Sequence, residues 1–452
     1  MLTCMMHSRR TFLSSLGLGS FVAAQQRRPN IVVIVADDLG YADVGFQGAK
    51  DIPTPHLDAL AKSGIRCTSG SVSHPFCSPT RAGMLTGRYQ QRFGHENNPL
   101  YDPNDERLGL PLTETLLPKV LSDGGYRTGI VGKWHLGAAP QFHPLKRGFA
   151  EQFGFIGGGH DYFEAQMELP AREYLVPLER NGKPVALQGK YLTEELTGAA
   201  CDFVERHRAG PFFLYLAYNA PHTPQHVTDK YMERVKGVAS EKRRKHAAMV
   251  CSVDDGVGAV MASLRSHGLE ENTLVFFISD NGGPTGVTEA DNTPLRGAKG
   301  QVYEGGIRVP FVARWKGRLT PGVYAQPVSS LDLFPTICGV AGVKSSAKLD
   351  GVDLLPFLSG ARKGAPHERL FWRTGGGVLY AVREGKWKLV VREGQPELYD
   401  LDADIGERRN LAGEQPGVVA RMDGARQAWD RELVKPLWQS PQPAADKKAG
   451  AA

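Results

Sequence analysis

The sequence is poor in cysteine. Its six cysteines are spread over 452 residues, at Cys4, Cys67, Cys77, Cys201, Cys251 and Cys338. They stand too far apart for a zinc site made of closely spaced cysteine pairs, and they are too sparse for a small fold held together by disulfides. Each cysteine must therefore be interpreted singly, and its ordinary role is that of a small buried hydrophobic residue.

The chain also lacks a strong excess of charge of one sign. Lys and Arg number 54 and Asp and Glu number 48, which gives a formal net charge of +6. This mild, dispersed excess gives little reason to expect a nucleic-acid partner, and it fits an anionic small substrate at least as well. Because 41% of the residues are hydrophobic and 23% are charged, the chain can bury a large core and a disordered scaffold is excluded.

No acidic residue occurs before Asp37. Residues 1–24 contain the pair Arg9 and Arg10, then an apolar stretch, and end in two alanines. This order is typical of a secretory signal peptide of the twin-arginine kind, so we expect export to the periplasm or beyond; a buried N-terminal helix is the alternative. No later stretch of 18 or more apolar residues follows, and we expect no stable membrane insertion once the signal is removed.

Strand-like and helix-like segments alternate over the next part of the chain. The predicted strands are Asn30–Ala36, Arg127–Val131, Phe212–Tyr218 and Leu274–Ser279. The predicted helices are Thr54–Ser63, Thr113–Asp123, Thr193–Arg208 and Glu241–His267. This alternation predicts an α/β fold with a large, mostly parallel sheet flanked by helices, whose ligands bind beyond the carboxyl ends of the strands.

The pattern of strand-like and helix-like segments changes near residue 345. We expect a main domain over 27–345, a smaller C-terminal α+β subdomain over 346–438, and a disordered tail over 439–452. Short alternating strands with Glu-Gly turns between them predict an antiparallel sheet in the subdomain. Those predicted strands are Val378–Arg383, Lys386–Val391 and Glu397–Leu401.

Carboxylates follow two of the predicted core strands. Asp37 and Asp38 come directly after the first strand, and Asp280 and Asn281 come after the strand that ends at Ser279. Three carboxylates and an amide oxygen suit calcium or magnesium better than zinc, which prefers nitrogen or sulfur ligands. A turn or a helix cap is the ordinary role of any one such pair, but two pairs after two core strands favour a metal site.

The segment Cys77-Ser78-Pro79-Thr80-Arg81 indicates a loop that enters a helix. A cysteine at a helix N-terminus, four residues from an arginine, predicts electropositive surroundings and a reactive thiol or an anion site. The Cys-x-Pro-x-Arg spacing is more specific, because it resembles the sulfatase signature in which the cysteine is oxidised to formylglycine.

Further motifs in the same order extend this resemblance over nearly the whole chain. They are Asp37-Asp38-Leu39-Gly40-Tyr41, Gly132-Lys133-Trp134-His135-Leu136-Gly137, Asn219-Ala220-Pro221-His222-Thr223-Pro224, Asp280-Asn281-Gly282-Gly283, Leu295-Arg296-Gly297-Ala298-Lys299-Gly300, Tyr303-Glu304-Gly305-Gly306-Ile307-Arg308-Val309-Pro310 and Glu397-Leu398-Tyr399-Asp400-Leu401. The chain is identified by them as a member of the formylglycine-dependent, arylsulfatase-like family of the alkaline phosphatase superfamily. The resemblance makes 27–345 the catalytic sulfatase domain.

The resemblance also implies a role for each site residue. Asp37, Asp38, Asp280, Asn281 and the modified Cys77 would hold one calcium ion, with magnesium the second choice. Arg81 and Lys133 would support the formylglycine hydrate and the sulfate, His135 would be the base, and His222 with Lys299 would face the ester oxygen. Lys133 and His135 would point to one face because residues i and i+2 of an extended segment do so. A formylglycine-generating enzyme would be the partner during maturation.

The activity implied is hydrolysis of a sulfate monoester by one hydroxyl of a hydrated aldehyde at residue 77, with release of inorganic sulfate when His135 takes the proton of the second hydroxyl. We expect a sulfated carbohydrate as substrate, bound by polar and aromatic residues of the loops 90–98 and 157–162. The alternatives are a phosphate or phosphonate monoester hydrolase of the same superfamily and a non-catalytic glycan-binding relative. The sugar, the sulfate position and exo or endo action are not readable from the sequence.

Overall fold

The computed structural model describes residues 28–165 and 176–439. The predicted signal segment 1–24 lies outside the described residues, and so does all but the first residue of the predicted tail 439–452.

Strands in the described residues fall into three sheets. They are β1 (Asn30–Ala36), β2 (Ile65–Cys67), β3 (Gly70–Ser71), β4 (Arg127–Lys133), β5 (Glu151–Phe155), β6 (Leu178–Arg180), β7 (Lys183–Pro184), β8 (Phe212–Ala217), β9 (Thr273–Ser279), β10 (Phe311–Arg314), β11 (Gly322–Tyr324), β12 (Val328–Ser329), β13 (Arg369–Thr374), β14 (Leu379–Glu384), β15 (Trp387–Arg392) and β16 (Gln395–Asp400).

Helices cover both faces of the largest sheet. They are α1 (Pro55–Lys62), α2 (Cys77–Thr86), α3 (Leu117–Asp123), α4 (Leu192–His207), α5 (Asp229–Arg234), α6 (Glu241–Ser266), α7 (Thr285–Thr288), α8 (Glu304–Ile307), α9 (Leu333–Ala341), α10 (Leu355–Leu358) and α11 (Pro416–Asp430). The predicted start of α3 at Thr113 is wrong by four residues. Pro118 fits only in the first turn of a helix, so the helix begins at Leu117.

The largest sheet has ten strands in the order β11-β2-β10-β9-β1-β8-β4-β5-β6-β7. Its centre, from β9 to β5, is parallel, and antiparallel pairs join β10 to β9, β2 to β10, β6 to β5 and β7 to β6. The predicted α/β fold with a large, mostly parallel sheet flanked by helices is confirmed. Antiparallel pairing toward both edges makes the sheet a mixed one.

Successive residues of β1 face two different cores. Ile31, Val33 and Val35 pack into one hydrophobic cluster, and Val32 and Ile34 pack into the other. Since side chains alternate across a strand, a continuous apolar run is what a strand buried on both faces requires. The central strands are thereby fixed between two helical layers, and only their ends are free to carry polar side chains.

Among the described residues, one helix is long and apolar enough to cross a membrane by length and composition, namely α6. It packs against α1, α4 and α5, and most of its residues are buried within the protein.

The C-terminal subdomain contains an antiparallel sheet in the order β13-β14-β15-β16, with α11 packed against it. Three of its strands match the predicted ones within three residues at each end, but β13 was not predicted. Its sequence contains two charged residues, Arg369 and Arg373. Arg373 is nevertheless buried, because its Nη2 lies 2.7 Å from Oε2 of Glu96 in the main domain. The strand β13 therefore depends on an ion pair with a distant residue, and the composition of its own sequence does not indicate it.

A buried charge network joins this sheet to the main domain. The ammonium of Lys388, on β15, lies 2.8 Å from Oε1 of Glu304 and 2.9 Å from Oε1 of Glu407, and all three side chains are at most 2% exposed. Burial alone would raise the pKa of Glu304, but Lys388, Arg383 and Arg308 together hold it well below its usual value. Lys388 is therefore the cation that the two buried carboxylates share, while Arg308 and Arg383 pair in addition with Glu304.

We predict that Lys388→Met lowers the free energy of unfolding by about 3–5 kcal/mol, because it leaves two buried carboxylates without their shared cation. Lys386→Met is the matched control, since Lys386 lies on the preceding turn and pairs with Asp400 at the surface. That exposed pair should contribute at most about 1 kcal/mol. Urea unfolding followed by tryptophan fluorescence measures both; equal losses for the two variants would contradict the role of Lys388.

Candidate functional site

The carboxyl ends of β1 and β9 form the floor of the site. The two strands are parallel neighbours, and Ala36 pairs with Ser279 at the end of the ladder. Asp37 and Asp280 are therefore the next residue along each strand, and both are fully buried. The predicted juxtaposition of the two polar pairs follows directly from this register.

Asp38 turns out of the strand direction to face the same point. Its φ of 69° lies in the left-handed region, which few residues other than glycine adopt and which often marks a functional site. Its backbone N–H donates to Oδ1 of Asp280 at 3.2 Å, and its Oδ1 accepts from Nδ2 of Asn281 at 2.7 Å. The ends of β1 and β9 are thus joined by these side-chain hydrogen bonds as well as by the backbone hydrogen bonds between the strands.

Cys77 is the first residue of α2, as its sequence predicts. Its Sγ lies 3.4 Å from Oδ1 of Asp37 and 4.0 Å from Oδ1 of Asp38. The expected reactive thiol is wrong for this structure: burial first, and then the charges of Asp280 and Asp37, raise the pKa of Cys77 well above its usual value. The unmodified side chain is therefore a neutral thiol set against carboxylates.

Three cations balance the carboxylates one by one. Arg81 lies 2.8 Å from Oδ2 of Asp280, and the ammonium of Lys133 lies 2.6 Å from Oδ2 of Asp37. The ammonium of Lys299 lies 2.7 Å from Oδ1 of Asp38. Burial lowers the pKa of Lys299, but the neighbouring Asp38 and other negative groups keep it well above its usual value, so Lys299 stays charged.

His135 faces the same cluster, but not for the predicted reason. Lys133 ends β4, and His135 has a φ of 60°, so the segment is not extended and the i, i+2 argument is wrong. Its surroundings are cationic: burial, then Lys133 and Arg81, lower the pKa of His135 well below its usual value. A Cβ at Gly158 would lie 2.5 Å from its Nε2, so a side chain there would displace the imidazole ring on which this loop packs.

His222 reaches the cluster from the loop that follows β8. Its Nε2 lies 3.6 Å from Oδ2 of Asp38. Tyr162 is fully buried, and its hydroxyl lies 2.8 Å from the backbone oxygens of both Asn219 and His222, so its one proton is shared between the two acceptors. Burial lowers the pKa of His222 to about 3 although Asp38 acts in the other direction. Tyr162, which the sequence placed only in a pocket loop, thus holds the backbone of this histidine.

The oxygen atoms at the strand ends fit a hard divalent cation. One oxygen of Asn281, Oδ1, is buried and has no hydrogen-bond partner in the described part of the chain, although the Nδ2 of the same amide donates to Asp38. Ligand atoms of Asp37, Asp38, Cys77 and His222 lie within 4.8 Å of one another, whereas Asp280 is engaged with Arg81. An orphaned amide oxygen beside three carboxylates matches the oxygen-rich sets that hold calcium or magnesium.

The predicted pocket loop 90–98 is mostly tied into the protein. Gln90 bonds Ser73, Gln91 donates to the backbone of Arg373, and Glu96 pairs with Arg373. Two links from this loop to Ser78, next to Cys77, were not predicted: Nε2 of His95 lies 2.6 Å from Oγ of Ser78, and Oδ1 of Asn98 accepts from its backbone N–H at 3.0 Å. No signal in the sequence distinguishes this asparagine from an ordinary loop residue.

All ten predicted site residues are brought to one buried cluster, and their chemical roles stay predictions.

Comparison with known proteins gives the family. The model described as "Sulfatase" matches residues 29–343, and one described as "N-sulphoglucosamine sulphohydrolase, C-terminal" matches residues 298–423.

Human arylsulfatase A is 36% identical over 92% of this chain and 89% of its own length. Mouse N-acetylgalactosamine-6-sulfatase is 36% identical over 83% of this chain and 74% of its own. The crystal structure of Ps i-CgsB in complex with k-i-k-neocarrahexaose is similar with a TM-score of 0.87 and 38% identity, covering 91% of this chain and 95% of that one. The chain therefore belongs to the sulfatase family and is a sulfuric ester hydrolase.

Proposed function

We propose that the protein hydrolyses sulfate monoesters of carbohydrates, with residue 77 as formylglycine and with one calcium ion. The observation that carries the proposal is the buried cluster in which three carboxylates and three cations converge on Cys77. Such a cluster can hold a divalent cation and a sulfate anion side by side. The neocarrahexaose bound to Ps i-CgsB and the name of N-acetylgalactosamine-6-sulfatase support a carbohydrate substrate.

Calcium, when bound by Asp37, Asp38, Asp280, Asn281 and residue 77, would balance the buried negative charge and make a hydroxyl on residue 77 more acidic. The cysteine of the unmodified chain offers a protonated thiol and no hydroxyl. Because Cys77 is only 1% exposed in the folded chain, we infer that a formylglycine-generating enzyme acts before folding is complete, and that the exported protein leaves the cell already modified.

The cations of the site would bind the sulfate group. Arg81 and Lys133 are fully buried, and both make short contacts with carboxylates of the cluster. Lys299 is the most accessible of the three, with 17% of its side chain exposed. Preorganised charges of this kind stabilise negative charge that develops on non-bridging oxygens, at no cost of reorganisation.

The two histidines would move protons. His135 is neutral at neutral pH because burial and the neighbouring cations lower its pKa, so it can accept a proton during release of sulfate. His222 is also neutral in this structure. The negative charge of a bound sulfate ester, added to that of Asp38, would favour the imidazolium, so that Nε2 of His222 carries the proton that leaves with the alcohol oxygen.

The direct test of the proposed function is a substrate panel. Enzyme with verified conversion of Cys77 should hydrolyse defined sulfated monosaccharides and disaccharides, and should hydrolyse an aryl sulfate far faster than the matching aryl phosphate. Faster turnover of the phosphate would favour a phosphate or phosphonate hydrolase, and tight saccharide binding without turnover would favour a glycan-binding relative.

We predict that Cys77→Ala abolishes turnover and leaves the fold intact, because the side chain supplies the nucleophile and not the core. Cys77→Ser should also be inactive unless the host oxidises serine. Cys201→Ala is the matched control, since Cys201 lies on α4, away from the site, and should keep full activity. Circular dichroism and turnover of a nitrophenyl sulfate measure fold and activity; an active Cys77→Ala protein would rule out the formylglycine mechanism.

We predict that bound calcium survives mild chelation, because three carboxylates confer high affinity and their mutual repulsion is relieved by a divalent ion. Asp280→Asn, which removes one of the three charges, should lose both calcium and activity, whereas Asp404→Asn in the C-terminal subdomain should lose neither. Atomic emission spectroscopy after gel filtration measures the metal. Undiminished activity in exhaustively metal-stripped protein would contradict the calcium site.

We predict that His222→Ala slows hydrolysis of sugar sulfates by about 100- to 10,000-fold, the usual range for loss of a general acid. Nitrophenyl sulfate should be much less affected, because a nitrophenolate leaves without a proton. His267→Gln, at the end of α6, is the control for a histidine outside the site. Steady-state kinetics on both substrate classes are compared; equal losses on the two leaving groups would show that His222 does not protonate the leaving oxygen.

A further inference from the structure

Asn292 joins three loops that carry the charged groups of the site. It lies between α7 and α8, and it is 3% exposed. Its Oδ1 accepts from the backbone N–H groups of Tyr41 and Gly283, at 3.3 and 3.0 Å. Its Nδ2 donates to the backbone oxygens of Gly283 and Gly297, at 2.9 and 3.2 Å. Two acceptor positions and two donor positions are thus all used.

Each of these loops leads to a different part of the charged cluster. Tyr41 follows the pair Asp37 and Asp38, Gly283 follows Asp280 and Asn281, and Gly297 precedes Lys299. Within the described part of the chain, the side chain of Asn292 forms hydrogen bonds with backbone atoms and with none of the charged side chains. Any influence of Asn292 on the site must therefore act through the spacing of the loops.

The residue before Asn292 braces the first loop in the same way. The backbone oxygen of Asp291 accepts from the N–H of Ala42 at 2.8 Å, and its N–H donates to Oδ1 of Asp43 at 3.0 Å. The close approach leaves no room for a side chain at Gly40, where a Cβ would lie 2.4 Å from the oxygen of Asp291. The backbones of the three loops are thus in direct contact around Asn292, and a change there must move at least one of them.

Only an amide side chain can fill this position. An aspartate would accept the two N–H groups but would set a carboxylate oxygen against the carbonyl oxygens of Gly283 and Gly297. A serine is too short to reach all three loops and would leave buried backbone groups without partners. The chemistry of the side chain, and not its size alone, is what the three loops require.

We propose that Asn292 is a positioning residue that fixes the distance between the ends of β1 and β9 and the loop of Lys299, and thereby sets the affinity of the site for its divalent cation. The inference rests on the calcium site of the proposed function. Residues that orient metal ligands without touching the metal commonly change metal affinity about 10- to 100-fold when they are replaced.

The test measures calcium binding to the full-length protein, with verified formylglycine, after chelation and dialysis. Isothermal titration with calcium chloride should give a dissociation constant about 10- to 100-fold higher for Asn292→Asp than for the wild type. The direction is informative, because an added negative charge would by itself strengthen calcium binding. Asn410→Asp is the matched control: its Oδ1 also accepts two backbone N–H groups, but in the C-terminal subdomain, and its affinity should not change.

Two further readouts separate positioning from a general loss of stability. The thermal midpoint of the calcium-free variant measures the stability lost with the hydrogen bonds of Asn292, and beyond that loss the stabilisation gained on adding calcium should be smaller than in the wild type. Turnover of nitrophenyl sulfate by the variant should recover at high calcium, since every charged group of the site is still present. Asn292→Ser replaces Asn292→Asp in all three measurements if the latter does not fold.

The outcomes are distinct. Wild-type calcium affinity in both Asn292 variants, with midpoints lowered equally in the presence and absence of calcium, would overturn the positioning role and leave the calcium site standing. A wild-type protein that binds no calcium would overturn the calcium site and this inference together. A raised dissociation constant with recovery at high calcium supports both.

Discussion

The site depends on the burial of three carboxylates at one edge of a sheet. An isolated buried carboxylate costs several kcal/mol of desolvation free energy, and like charges in contact repel each other in addition. The cost is visible at Asp280, where burial and the charge of Asp37 raise the pKa to about 6 although Arg81 and Lys133 act in the opposite direction. The arrangement is held by the three cations around it, and a divalent ion at the orphaned oxygen of Asn281 would relieve the remaining repulsion.

The fold meets this electrostatic demand by placing the charged loops on a rigid base. The parallel strands β1 and β9 end at paired residues, and hydrophobic layers on both faces of the sheet hold the two strands in register. Helix α2 begins at Cys77, so the side chain of residue 77 is fixed by a turn of helix rather than by a free loop. The same logic extends to the C-terminal sheet, whose Lys388 is buried between Glu304 and Glu407 at the junction with the main domain.

Much of this could be predicted from the sequence, and the exceptions have physical reasons. A continuous run of β-branched residues indicates a buried strand such as Asn30–Ala36. The polar pairs that follow two such strands lie close together when the strands are parallel neighbours. The strand β13 could not be predicted, since burial of Arg373 depends on a distant glutamate. The reactive thiol was inferred from the helix N-terminus and from Arg81, but burial and the charges of Asp280 and Asp37 act on Cys77 more strongly, and only the folded chain brings them there. Asn292 gave no signal because an asparagine in a loop is usually a turn residue.

The central claim is that residue 77 acts as an aldehyde hydrate within this acidic cluster. Trypsin should release the peptide that ends at Arg81, and mass spectrometry of that peptide, from protein produced with graded amounts of a formylglycine-generating enzyme, gives the fraction of Cys77 that is converted. The account predicts that sulfatase activity rises in proportion to that fraction and extrapolates to zero for the unconverted chain. Full activity in protein whose Cys77 is entirely thiol would contradict it.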